Sequence, residues 1–267
     1  MRRRCSLLLV RREFRAARTE VRVGRRQKVV EYKCFEPLGA CDSRSVVAIG
    51  SCLGDAFCEK LSAKMGAKVV APELLTWGSV TLEDQALVVA ATLEAEEIDD
   101  VVVVGHRYGG TVGARLAANI AAQALLIDPN YVTLIETLDP LQTHAIRDSM
   151  RYLQAPDFDI FDDSTTSDSE RASILLSAGP RCQADFDNLR ACPFKHHLLL
   201  SPNPSDRARP IFKAMADILP HWNFQVSTLP APLKFTDATL DHIHHCLITT
   251  RPKQHHDDDD RHHHHPE

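Results

Sequence analysis

Val101-Val102-Val103-Val104-Gly105-His106-Arg107-Tyr108-Gly109-Gly110 is the stretch that decides the fold of this chain. Four consecutive valines suit a strand covered on both faces. Glycines stand two residues before and two after Arg107, with a third at 110. A strand that turns sharply into a helix holds its central residue in a strained conformation, and its neighbours must be tiny to avoid clashes. The following stretch, 111–122, is rich in alanine and puts Val112, Leu116 and Ile120 on one stripe, as a helix requires.

Outward from this point the pattern alternates. Ser45–Ile49 reads as a short buried strand and Ala56–Lys64 as a helix. Lys68–Ala71 is a second strand, stopped by Pro72, and residues 79–98 form a helix that opens behind Thr81. Ala124–Ile127 and His196–Leu200 complete the series of strands. Strand–helix alternation of this kind implies an α/β domain with a mainly parallel central sheet and helices on both faces. Ahead of it, Glu20–Val23 and Gln27–Cys34 flank Gly24-Arg25-Arg26 and read as a hairpin. About 70 residues separate Ile127 from His196, too many for a plain connection, so an inserted helical cap is expected at about 129–195. Within it, 156–170 holds six acids and no base and reads as a mobile acidic loop. The domain is therefore expected at 19–252, between a basic extension at 1–18 and a disordered His/Asp-rich tail at 253–267.

Composition excludes several classes of function. The longest runs of large aliphatic residues, Leu7–Val10 and Val101–Val104, are far short of the ~18 residues of a membrane span. Residues 1–28 carry ten Arg and one Lys against Glu13 and Glu20, a net +9, so the other 239 residues carry −14 of the total −5. An acidic body repels phosphates, which argues against nucleic acid as a partner of the domain and leaves a small-molecule ligand as the expected one. Eight cysteines without a C-x-x-C pair point to a reducing compartment, the cytoplasm, and to no metal site. The Arg-rich start reads as a ragged basic extension or as an organelle-targeting leader. His255, His256 and 262–265 lie in the tail, where flexible histidine runs bind transition metals weakly, and the segment reads as a disordered extension or an appended tag.

Gly105-His106-Arg107-Tyr108-Gly109-Gly110 resembles the nucleophile elbow of the α/β-hydrolase fold, G-x-S-x-G and often G-H-S-x-G-G. Four further segments follow the family's order. Val46–Gly50 with Ser51 and Cys52 resembles the strand and loop that donate an oxyanion-hole N–H. Residues 69–79 look like its V-x-x-P-D-x-x-G-x-G-x-S segment, Ala124–Pro129 like the strand after the elbow helix, and His245, seven residues before Pro252, like its C-terminal histidine loop. The resemblance implies an α/β-hydrolase fold with an inserted cap, no cofactor, and a site built from the residues at those positions. Asp206 matches the acid that orients the histidine, with Asp128 as the alternative. The backbone N–H groups of Ser51, Cys52 and Tyr108 match the oxyanion donors.

Three departures bear on mechanism. Arg107 takes the place of the nucleophile, and a guanidinium is permanently protonated. Acyl-enzyme chemistry at that position is therefore not expected. Ile49 stands where the family has the histidine of an H-G pair, and no helix is expected after Pro252. Three readings of Arg107 stay open: a degenerate member that binds without turnover, an anion site at the start of a helix, or a codon change in an otherwise active hydrolase. An acid–base reaction through His245 and an acid, as in a hydrolase or lyase, and a structural protein with a filled pocket are the alternatives. His106 is expected to pack inward; Asp206 reads equally as a helix start and Asp128 as a turn residue ahead of Pro129.

Overall fold

A computed structural model describes residues 14–37, 44–50, 53–75, 81–129, 185, 187–202, 216, 220, 223–230 and 236–248. Among the described residues eight strands form one sheet in the order β1-β2-β4-β3-β5-β6-β7-β8. They are β1 (Arg15–Val23), β2 (Arg26–Phe35), β3 (Ser45–Ile49), β4 (Val69–Pro72), β5 (Val101–His106), β6 (Gln123–Ile127), β7 (His196–Leu200) and β8 (Phe224–Thr228). From β4 to β8 all neighbours are parallel; β2 joins β4 antiparallel, and β1 closes the edge as the other arm of the hairpin. Among the described residues the helices are α1 (Asp55–Met65), α2 (Leu82–Ala95), α3 (Tyr108–Ile120) and α4 (Asp237–Ile248).

The valines of β5 are buried on both faces, as their uninterrupted run requires. Val101 and Val103 pack with Val112, Leu116 and Ala117 of α3 and with Val89 and Leu93 of α2. Val102 and Val104 face Phe57 and Leu61 of α1 and Leu240, Ile243 and Leu247 of α4. A layer of helices therefore covers each side of the sheet. Thr81 caps α2 through a reciprocal box: its hydroxyl accepts from the Asp84 N–H at 3.1 Å, and the Asp84 carboxylate accepts from the Thr81 N–H at 2.9 Å.

The hairpin turns on Gly24, whose φ of 58° is open to glycine without cost and suits a two-residue turn. Its base is tied to α2 through Glu96, which accepts from Arg15 and Lys68 at 2.5 Å each and from the Tyr32 hydroxyl at 2.8 Å. Burial pushes the Glu96 carboxyl up, but these three donors outweigh it and hold the pKa at about 2.

Two outcomes differ from the sequence reading. β1 begins at Arg15, inside the segment assigned to the basic extension. A helix that the sequence reading did not place, α4, lies before Pro252, because Leu240, Ile243, Cys246 and Leu247 recur at helical spacing and bury against α1 and β7. Most of the expected cap, 130–184, and the tail lie outside the described residues. The part of the cap region at 187–195 is anchored to the domain by buried Leu189 and Cys192.

Candidate functional site

The C-terminal ends of parallel strands are where an open α/β sheet gathers its functional groups. Here β5 runs through Gly105 and His106, turns at Arg107, and enters α3 at Tyr108. Arg107 has φ 50° and ψ −120°, a conformation that L-residues rarely adopt and that costs ~1–3 kcal/mol. Its N–H donates to the Ile127 carbonyl at 2.9 Å, and its carbonyl accepts from Gly110 and Thr111 at 2.9 and 3.3 Å. The turn is thereby bonded to β6 on one side and to the helix on the other.

Close approach explains the glycines. A Cβ on Gly105 would lie 2.5 Å from the Gly109 carbonyl oxygen, and one on Gly109 would strike the Ile49 carbonyl at the end of β3. Only hydrogen at these positions lets α3 start directly above the sheet. His106 is buried and its Cβ abuts Gly50, in line with the inward packing expected of it. Tyr108 is also buried, which pushes its phenol up to about 12. Its ring belongs to the core shared by α2 and α3, so any contribution to a ligand comes from the backbone.

Asp128 stands at the end of β6, 8% exposed and with a positive φ of 42°. One carboxylate oxygen accepts from the Ser201 N–H at 2.8 Å, and the other accepts from the Ser201 hydroxyl. Burial pushes the Asp128 carboxyl up, while the Ser201 bonds and the Arg107 guanidinium pull it down. Asp128, Ser201 and Arg107 therefore share one end of the sheet, with a buried carboxylate, a hydroxyl and a fixed cation. The opening turn of α3 adds N–H groups and the positive end of its dipole. Such an arrangement can hold an anion or polarise a carbonyl.

Ser201 was not singled out from the sequence. The cue available was its place directly after the buried run His196–Leu200, level with the acid one strand away. Asp206, Ser51 and Cys52 lie outside the described residues. His245 occupies the last turns of α4 on an exposed face, near enough to His197 at the start of β7 to disfavour that ring's protonation. The resemblance placed it on a loop, whereas His245 to Ile248 form the end of α4. His242, one turn earlier, shares a hydrogen bond with Ser227 of β8 at 3.1 Å.

His197 is a second feature that the sequence did not flag. It is 1% exposed, and neither ring nitrogen has a hydrogen-bond partner. Burial lowers its pKa to about 4, helped by His196, Lys195, His242 and His245. No group of three or more His, Cys, Asp or Glu suited to a metal ion occurs among the described residues. On α3, buried Arg115 bonds Asp185 at 2.5 Å and Glu83 of α2 at 2.7 Å, joining the returning cap segment to the helix layer. No described helix is long and apolar enough to cross a membrane.

Comparison with solved structures returns the same architecture. A putative hydrolase from Agrobacterium vitis S4 superposes with a TM-score of 0.58 at 13% identity, over 89% of this chain and 99% of that one. A haloalkane dehalogenase loop variant from Bradyrhizobium elkanii gives 0.55 at 12%, over 89% and 96%. At 12–13% identity these likenesses concern the fold alone. A curated relative, the carbendazim hydrolyzing esterase of Nocardioides sp. (strain SG-4G), is 49% identical over 47 residues, 18% of this chain and 19% of that protein. The matched stretch thus spans less than a fifth of that relative. The model of the alpha/beta hydrolase family matches residues 50–265. With the family's pattern running through most of its length and the sheet folded accordingly, the chain belongs to the alpha/beta hydrolase family.

Proposed function

We propose that this protein is a non-catalytic member of its family that binds a small anionic or carbonyl-bearing ligand at the C-terminal edge of the sheet. The observation that carries the reading is Arg107 at φ 50°, ψ −120°, between β5 and α3. A side chain with no lone pair to donate stands at the sharpest turn of the fold, beside a helix start that favours negative charge. Asp128 is committed to Ser201, and His245 stands on an exposed face of α4.

Benzoate and its neutral isostere benzamide test the binding reading by titration calorimetry. Benzoate binds more tightly, and Arg107→Gln weakens it by at least ~10-fold, as loss of a charge-assisted hydrogen bond requires. Equal binding of the two probes, or an unchanged Arg107→Gln variant, overturns it.

The 47-residue match at 49% identity to an esterase favours a second reading, an active ester or amide hydrolase. It requires turnover of short acyl esters by the wild-type chain, above a heat-inactivated control. The first reading predicts none, and it predicts that Arg107→Ser folds and stays at background.

A further inference from the structure

The tip of the β1–β2 hairpin is the most concentrated positive charge among the described residues. Arg22, Arg25 and Arg26 are all exposed within five positions, and Lys28 follows. None of these three arginines pairs with a carboxylate among the described residues: Arg18 takes Glu31, Arg15 takes Glu96, and Glu20 is engaged by Gln27. The rest of the molecule beyond residue 28 is acidic. Like charges crowded at a hairpin tip without carboxylate partners among the described residues repel one another, so their use lies outside the fold.

Register fixes where this tip points. Tyr32 pairs with Pro72, the last residue of β4, and Arg26 to Glu31 continue past it without a β4 partner. Because β2 is antiparallel to β4, the tip extends beyond the C-terminal ends of the parallel strands, the end at which Arg107 and Asp128 lie. At ~3.4 Å per residue the reach along the strand is about 20 Å. That exceeds the ~8 Å Debye length at physiological ionic strength, so the acidic body is screened from whatever the tip touches.

The arginines also splay. Side chains alternate across a strand, so Arg22, opposite Gln27, and Arg26, opposite Val23, take opposite faces of the ribbon, and Arg25 sits on the turn itself. Three guanidinium groups so arranged do not converge on one phosphate. They meet separate anions spread over a surface. Val29, 59% exposed, adds an apolar side chain near the tip, whereas the hairpin's Tyr32 and Phe35 are buried and offer no face for stacking on bases. We propose that the hairpin tip is a docking surface for an anionic lipid bilayer, held by Arg22, Arg25 and Arg26, which turns the C-terminal edge of the sheet toward the membrane.

The test uses the full chain and vesicles of phosphatidylcholine with and without 30 mol% phosphatidylserine, read by sedimentation. The chain binds the phosphatidylserine vesicles, releases them as salt is raised, and ignores phosphatidylcholine alone. Each surface arginine is worth about five-fold in partitioning, so Arg22→Gln/Arg25→Gln/Arg26→Gln loses about 100-fold. A second variant with Arg2, Arg3, Arg4, Arg11 and Arg12 all changed to Gln retains tip-dependent binding. Thermal melting confirms that both variants fold, as neither touches a buried contact of the described residues. The proposal is overturned if wild type does not bind, if the triple variant binds as wild type does, or if binding follows only the five N-terminal arginines. Tighter binding to single-stranded RNA, with the RNA displacing vesicles, overturns it in favour of a nucleic-acid partner.

Discussion

The two ends of the β5–β7 region have been treated differently. At the C-terminal end, around Arg107, backbone packs directly against backbone: Gly105 against Gly109, and Gly109 against Ile49. Lower in the sheet, where β7 meets α4, side chains carry the contact, and a buried histidine there lacks hydrogen-bond partners. The first region keeps its geometry although a cation occupies its turn. The second keeps its apolar burial around a histidine ring. Backbone contacts of this kind admit no gradual change, because a single Cβ is a clash. Side-chain contacts drift one residue at a time. The family's framework can therefore outlast its chemistry.

The largest effect should come from breaking the backbone contact. Gly109→Ala places a methyl against the Ile49 carbonyl, and the expected loss is about 3–5 kcal/mol, read as insoluble expression or a denaturation midpoint shifted far down. A stable, folded Gly109→Ala protein would mean that α3 does not start where it is described.

Acid should act next, and on the other region. His197 has a folded pKa of about 4 against an ordinary value of 6.5, so the unfolded chain binds the extra proton. Its contribution is fully present above pH 6.5 and is lost as pH falls from there to about 4, by roughly 3 kcal/mol. Urea titrations from pH 7 to 4 should follow that slope. His197→Leu should flatten it and leave stability at pH 7 equal or higher, because an unbonded buried ring is replaced by hydrocarbon. Glu96 acts in a separate, lower window: its stabilisation is present above its ordinary 4.5 and fades as pH falls toward about 2. A pH-independent wild type between 7 and 4 would remove the contrast between the two regions.

Ser201→Ala sharpens the comparison from within the first region. It deprives buried Asp128 of one donor, leaving the Ser201 N–H, and should cost about 1–3 kcal/mol. The same change raises the Asp128 pKa further, because a bond to the charged form is gone. Asp128→Asn in the Ser201→Ala background should cost less than in wild type, as a double-mutant cycle would show.

What could be read from the sequence divides along the same line. The valines of β5, the glycines around Arg107 and the alanine-rich α3 announce themselves because buried parallel strands and tight turns tolerate few residue types. Helix α4 was missed although Leu240, Ile243 and Leu247 mark its buried stripe, because the resemblance placed His245 on a loop. β8 gave little signal: at the sheet edge it alternates Phe224 and Val226 with polar residues and has no apolar run. Asp128 was legible only as an end-of-strand acid. Its bonding to Ser201 depends on β6 and β7 lying side by side, a long-range pairing that no local pattern states.

The central claim is that the family framework persists here without nucleophilic chemistry. Mass spectrometry of the intact wild-type chain after treatment with a fluorophosphonate tests it most directly. The account predicts an unmodified mass under conditions that fully label an active serine hydrolase. A stoichiometric adduct on any serine, Ser201 included, would contradict it.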